Sequence, residues 1–173
     1  MKGSGTTYSN QVTGNPAFSE SALETAEKSF VEETYDNLGK KINAMPDVIL
    51  TTDDPNTCNE VKKLLNATAD VGSANSATFN PYRQKYTHIK SDRIATDAQG
   101  ASDTNKSKYW FLIDSGMSDM YLSILNEPYL KTPEAGNNGE NFSTETWSYL
   151  TAADYDISVV SGVWVRGSKG DAS

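Results

Sequence analysis

At 173 residues the chain has the length of one domain, enough to bury roughly two-thirds of its unfolded surface without staples. Its net charge of −8, with basic residues scattered as isolated pairs (Lys40-Lys41, Lys62-Lys63, Lys106/Lys108), argues against a sequence-specific nucleic-acid surface, which needs clustered Lys and Arg. A single cysteine and a single histidine exclude, within one chain, an internal disulfide, a thiolate metal site and a multi-His zinc centre, and they argue against a His-based triad.

Residues 1–18 read as an extended polar lead-in broken at Gly14-Asn15-Pro16. A first helix is predicted over 19–38. Ser19 is its N-cap, with Phe18 before it and Leu23 at the fourth helical position in a hydrophobic-staple arrangement. Leu23, Ala26, Phe30, Thr34 or Tyr35, and Leu38 form one apolar stripe, Glu20, Glu24, Glu27, Glu32 and Glu33 form a wet face, and Gly39 stands where a helix stop belongs.

A short strand, Val48 to Thr51, comes next. Asp54-Pro55 then starts a second helix, with Cys58, Val61, Leu64 and Leu65 on one face. Ala67 to Thr78 reads as a small-residue loop and Tyr86 to Ile89 as a half-exposed strand. After a polar loop (Thr96 to Lys106), the apolar run Tyr109 to Ile113 reads as a central strand. Tyr121 to Leu125 is a strand interrupted near Pro128, and Thr132 to Thr146 is a flexible excursion. Trp147 to Leu150 and Ile157 to Val165 supply the last strands, with Val159, Ser161, Val163 and Val165 on one side. Helices early and strands late give an α+β fold with a mixed sheet.

Each candidate for chemistry has a structural alternative. His88, inside a strand, is read as a packing or hydrogen-bonding residue, and Cys58 as a small core hydrophobe. Asp53-Asp54 is a helix cap before it is a cation pair. Asp92, Asp97 and Asp103 lack the spacing of a calcium loop. Asp154-Tyr155-Asp156 is read as a turn before a strand. Gly3-Ser4-Gly5 has no strand before it and no helix at once after it, so it is not a phosphate loop. Trp147 and Trp164 are candidates for a sugar-binding face, against the commoner role of core or contact aromatics. The expectation is a protein that is not an enzyme, with no catalytic residues, no cofactor and no metal. No apolar run approaches a membrane span.

The order of elements resembles the major capsid proteins of tailed phages with the Hong Kong 97-type fold, closest to the subgroup of Mu-like and related prophages. The residues that carry the resemblance are Thr7-Tyr8-Ser9-Asn10-Gln11, the helix from Phe18-Ser19-Glu20-Ser21-Ala22-Leu23-Glu24, Pro46-Asp47-Val48-Ile49-Leu50, Leu64-Leu65-Asn66, Gly72-Ser73-Ala74-Asn75 and Tyr109-Trp110-Phe111-Leu112. The resemblance implies a peripheral-domain part over 1–45 with a spine helix at 19–38, and an axial domain with returning strands over 46–173. The N-terminal arm and extended loop of the family have no counterpart before Tyr8, which implies a truncated or shortened relative.

By the same resemblance the chain is expected to be a structural subunit that self-assembles into an icosahedral phage or prophage shell around DNA, in the virion and assembled in the bacterial host cytoplasm. Its partners would be other copies of itself, with scaffold or decoration proteins besides, and no membrane. An encapsulin-like nanocompartment shell is the alternative on the same fold. A carbohydrate- or host-binding module is the alternative of another class.

Overall fold

The computed structural model describes residues 9–35, 39–69, 79–131 and 150–171. The chain divides into two compact units, one formed by Met1–Ser118 with Ser161–Ser173 and the other by Asp119–Val160. Residue 45, where the family layout places a boundary, falls inside the first unit.

The first unit is an α+β layer structure. Its sheet has four strands: β1 (Val48–Thr51), β2 (Thr87–Lys90), β3 (Trp110–Ile113) and β6 (Val165–Ser168), in the order β2-β1-β3-β6. β1 pairs with β2 in parallel and with β3 antiparallel, and β3 pairs antiparallel with β6. The parallel pair needs a crossover, and helix α2 (Pro55–Asn66) supplies it. The mixed sheet and the central place of the apolar strand at Trp110 match the sequence reading.

Local chemistry explains the element starts. Ser19 caps α1 (Glu20–Glu33) by accepting from the Ala22 N–H at 3.2 Å. The Asp54 carboxylate accepts from both the backbone N–H and the hydroxyl of Thr57, each at 2.8 Å, with Pro55 filling the first helical position without an amide to satisfy.

Helix α1 is shorter than the predicted 19–38. Thr34 turns to an extended backbone (φ −91°, ψ 117°), its carbonyl accepts from the Ile42 N–H, and Tyr35 bridges antiparallel to Lys41. Leu38 lies outside the described residues.

One core holds this unit together. It joins Leu23, Ala26 and Phe30 of α1, Val61, Leu64 and Leu65 of α2, and Ile49, Trp110 and Leu112 of the sheet. Phe18 meets Trp110 edge-to-face with centroids 5.4 Å apart, a favoured aromatic geometry. Arg166 is fully buried and lies 5.2 Å over the Phe30 ring, donating to the hydroxyls of Ser29 (3.1 Å) and Thr34 (3.2 Å). Buried Asn80 donates to the carbonyls of Leu64 (2.7 Å) and Ala67 (3.0 Å) and accepts from the Tyr82 N–H (2.9 Å), satisfying the end of α2.

The outer edge of β6 is covered by the lead-in: the Gly167 N–H donates to Asn10 at 2.7 Å and its carbonyl accepts from Val12 at 2.8 Å. A Cβ on Gly167 would stand 2.7 Å from the Phe111 ring, so any larger residue there has to displace that ring.

The second unit is a two-stranded antiparallel ribbon of β4 (Met120–Lys131) and β5 (Leu150–Val159). The ribbon departs from the sequence pattern in three places. β4 does not stop near Pro128; register shifts between Ile124 and Tyr129 let the strand continue, as a bulge accommodates a proline that cannot donate. Asp154-Tyr155-Asp156 is no turn but lies within β5, paired with Asn126, Ile124 and Ser123. The run from Ile157 to Val165 is two strands, since β5 ends at Val159 and β6 begins at Val165.

Candidate functional site

The polar candidates do not converge. Cys58 and His88, the sole residues of their kinds, are joined through a residue that the sequence reading did not single out. Thr51 Oγ1 lies 2.9 Å from His88 Nε2 and 3.6 Å from Cys58 Sγ, and the thiol also donates to the Thr52 carbonyl at 3.3 Å. Register explains why: β1 and β2 run parallel with Ile49 beside His88, while Cys58 is in the first turns of α2, on its buried face. Only a known parallel pairing brings the three together, and no sequence pattern encodes that.

The arrangement is a structural thread. A hydroxyl separates sulfur from imidazole, Thr51 is fully buried, and Cys58 is 6% exposed, so neither nucleophile is presented to a substrate. Burial, aided by the charges of Lys62 and Lys90, pushes the His88 imidazole below its ordinary pKa, which keeps it neutral beside Thr51.

Several of the acidic candidates are engaged locally. Asp54 caps α2. Asp97 accepts from the N–H groups of Gln99 (2.9 Å) and Ala101 (2.8 Å). Asp103 accepts from Asn105 and pairs with Lys106 at 3.3 Å. Asp92 lies 3.9 Å from Arg93. Asp53, Asp92 and Asp103 line one open depression of about 400 Å³, yet among the described residues no three His, Cys, Asp or Glu side chains come together as a metal site. Asp114, buried, accepts from the N–H groups of Met45, Gly116 and Met117 at 2.7 to 3.2 Å, and it fixes the turn after β3.

Trp164 is buried, and its indole N–H donates to the Ser161 carbonyl at 2.5 Å. It therefore offers no face to a sugar. Trp147 and Gly3-Ser4-Gly5 lie outside the described residues. A shallow groove of about 300 Å³ has Tyr109 and Phe111 in its lining with Asn10 and Asn15. Gln11 donates to the Asn15 side-chain oxygen across its rim at 2.6 Å, and the Asn10 amide N–H donates to the Gly162 carbonyl at 2.6 Å, so each amide has one end already engaged.

The ribbon is different in kind. On β4, Met120, Leu122 and Ile124 stand opposite Val159, Ile157 and Tyr155 of β5. Alternation along a strand sends these six to one face. On the other face stand Tyr121, Ser123, Asp156 and Ser158, with Asp154 in the same phase. The asymmetric pattern is that of a sheet with one side in a core. Yet the six apolar side chains are between 54% and 69% exposed. An isolated hairpin is at best marginally stable in water, and a contiguous bare apolar face marks an interaction surface. The candidate functional surface is this face.

Comparison with protein-family models, with curated proteins and with solved structures finds no match.

Proposed function

We propose that this chain is a structural subunit that self-associates into a shell of the tailed-phage capsid type. The observation that carries the reading is the bare apolar face of the ribbon, which has the pattern of a buried layer. A chain of net charge −8 stays soluble before assembly and does not bind the phosphates of a packaged genome. Cys58 and Thr51 are buried, and Asp54 and Asp114 serve a helix cap and a turn. The resemblance in the order of elements supplies the particular kind of shell; the ribbon supplies the physical motive for association.

Size-exclusion chromatography with light scattering, followed by negative-stain microscopy of the peak fractions, tests it. Capsomer-sized or closed particles are expected. A chain that stays monomeric at every concentration overturns the proposal.

A further inference from the structure

The face of the four-stranded sheet turned away from the helices carries a groove at its β6 end. Trp110 and Leu112 of β3 belong to the core, so alternation sends Tyr109 and Phe111 to the opposite face. Across the strands Phe111 stands beside Gly167, and Gly167 beside Gln11, which puts a phenyl ring, a bare glycine and an amide in one row. The glycine lets the ring lie down: one edge of Phe111 takes the place that a Cβ on Gly167 would occupy. Tyr109 stands against that ring with centroids 6.5 Å apart and planes at 71°. The groove encloses about 300 Å³, and every residue in its lining belongs to the first unit.

The polar side of the groove is held in a fixed orientation. Asn15 sits in the left-handed region (φ 48°) after Gly14 (φ 80°), a conformation that asparagine tolerates better than most residues. Its side-chain oxygen accepts from the Gln11 amide at 2.6 Å and from the Lys169 backbone N–H at 3.3 Å. A backbone N–H can meet only the oxygen of a side-chain amide, which fixes the Asn15 nitrogen as the other end. The pair is left with an acceptor, Gln11 Oε1, and a donor, Asn15 Nδ2. The Lys169 side chain, which also lines the groove, adds a second donor.

We propose that this groove is a saccharide site that takes a single pyranose ring. A pyranose has a flat face of C–H bonds and a rim of hydroxyls, each of which both donates and accepts. The two aromatic rings match the flat face, and the open ends of Gln11 and Asn15 match the rim. A wholly apolar ligand would strip water from those two ends without replacing it, at a cost. A polyphosphate would meet a chain of net charge −8 with one lysine in the lining. The volume stands at the low end of small-molecule sites, which suits one ring, and the affinity expected of so small a contact is on the order of 1 mM. The proposal is independent of the shell reading, since it concerns the first unit alone and holds whether or not the chain assembles.

Saturation-transfer difference NMR on the full chain tests it, because the method reads the ligand and works on a monomer or an assembly alike. The probes are the methyl glycosides of glucose, galactose and N-acetylglucosamine at millimolar concentration, with adenosine as a flat aromatic competitor. At least one glycoside is expected to receive saturation, strongest on the ring C–H protons of one face. Tyr109→Ala, an exposed position, is expected to abolish the signal, and Gln11→Ala to weaken it several-fold, with far-ultraviolet dichroism unchanged in both. Should Tyr109→Ala disturb the fold, Gln11→Ala decides alone, since its side chain is exposed and stands outside the core. No saturation of any glycoside in the parent overturns the proposal, and so does a signal that both variants retain in full. Saturation of adenosine alone also overturns it and makes the groove a base-stacking site.

Discussion

Ile49 and Leu112 face each other across antiparallel β1 and β3, and both are 0% exposed. Leu122 and Ile157 face each other across antiparallel β4 and β5 in the same way, yet they are 61% and 62% exposed. The pairing is the same and so is the chemistry of the side chains. In the first unit, α1 and α2 contribute Leu23, Phe30, Val61 and Leu64 to the core that closes over the sheet. In the second, no described residue closes over the pair. A sheet contributes only half of a core, and the two pairs show one half completed by helices and one half that no described residue completes.

The sharpest way to break that comparison is to truncate the same side chain in both places. Leu112→Ala should destabilise the first unit by about 2–5 kcal/mol, the range for fully buried leucines. Leu122→Ala should leave its denaturation midpoint unchanged in dilute solution. Tryptophan fluorescence in a urea titration reads both. A large loss for Leu122→Ala in a monomeric sample would mean that the ribbon face is already buried within its own chain.

Asn80→Ala comes next, since it strips two carbonyls and an N–H of their partner inside the completed core. A loss of about 1–3 kcal/mol is expected for groups left unsatisfied there, in the same urea titration. Asp54→Ala should cost about 1 kcal/mol, the usual worth of a helix N-cap, with the lost signal appearing in far-ultraviolet dichroism as a frayed α2. Neither substitution should alter association, because both act far from any ribbon residue in sequence and within the first unit only.

Much of the completed half was legible in the sequence. Ser19, the Asp54-Pro55 step and the apolar spacing of α2 carry their own local physics, and Trp110 to Ile113 reads as a central strand from its unbroken apolar run. The ribbon was harder. Its period-two alternation is present at Met120, Leu122 and Ile124 and again at Tyr155, Ile157 and Val159. Pro128 and the flanking aspartates, however, read as breaks. Both are tolerated because a two-stranded ribbon has free edges, bulges and a solvated face. The Cys58–Thr51–His88 thread depends on parallel register and could not be read from spacing. The end of α1 at Glu33 goes with the hydrogen bond from the Ile42 N–H to the Thr34 carbonyl, a contact with no signature in the helix itself.

The smallest expected effect comes from that thread. The His88 imidazole is held below its ordinary pKa in the fold, so the unfolded chain binds the proton more readily. Stability should be level above about pH 6.5, the unfolded value, and decline as pH falls from there toward the lower folded value. His88→Asn should flatten this slope in urea titrations run across the window. A parent whose stability rises on acidification through it would contradict the neutral, Thr51-bonded state.

The most direct measurement is sedimentation velocity of the unmodified chain over a wide concentration series. The assembly role of the ribbon predicts a species heavier than the 18.8 kDa monomer that grows with concentration, and its loss in Leu122→Asp. A single 18.8 kDa species throughout, for both proteins, would contradict it.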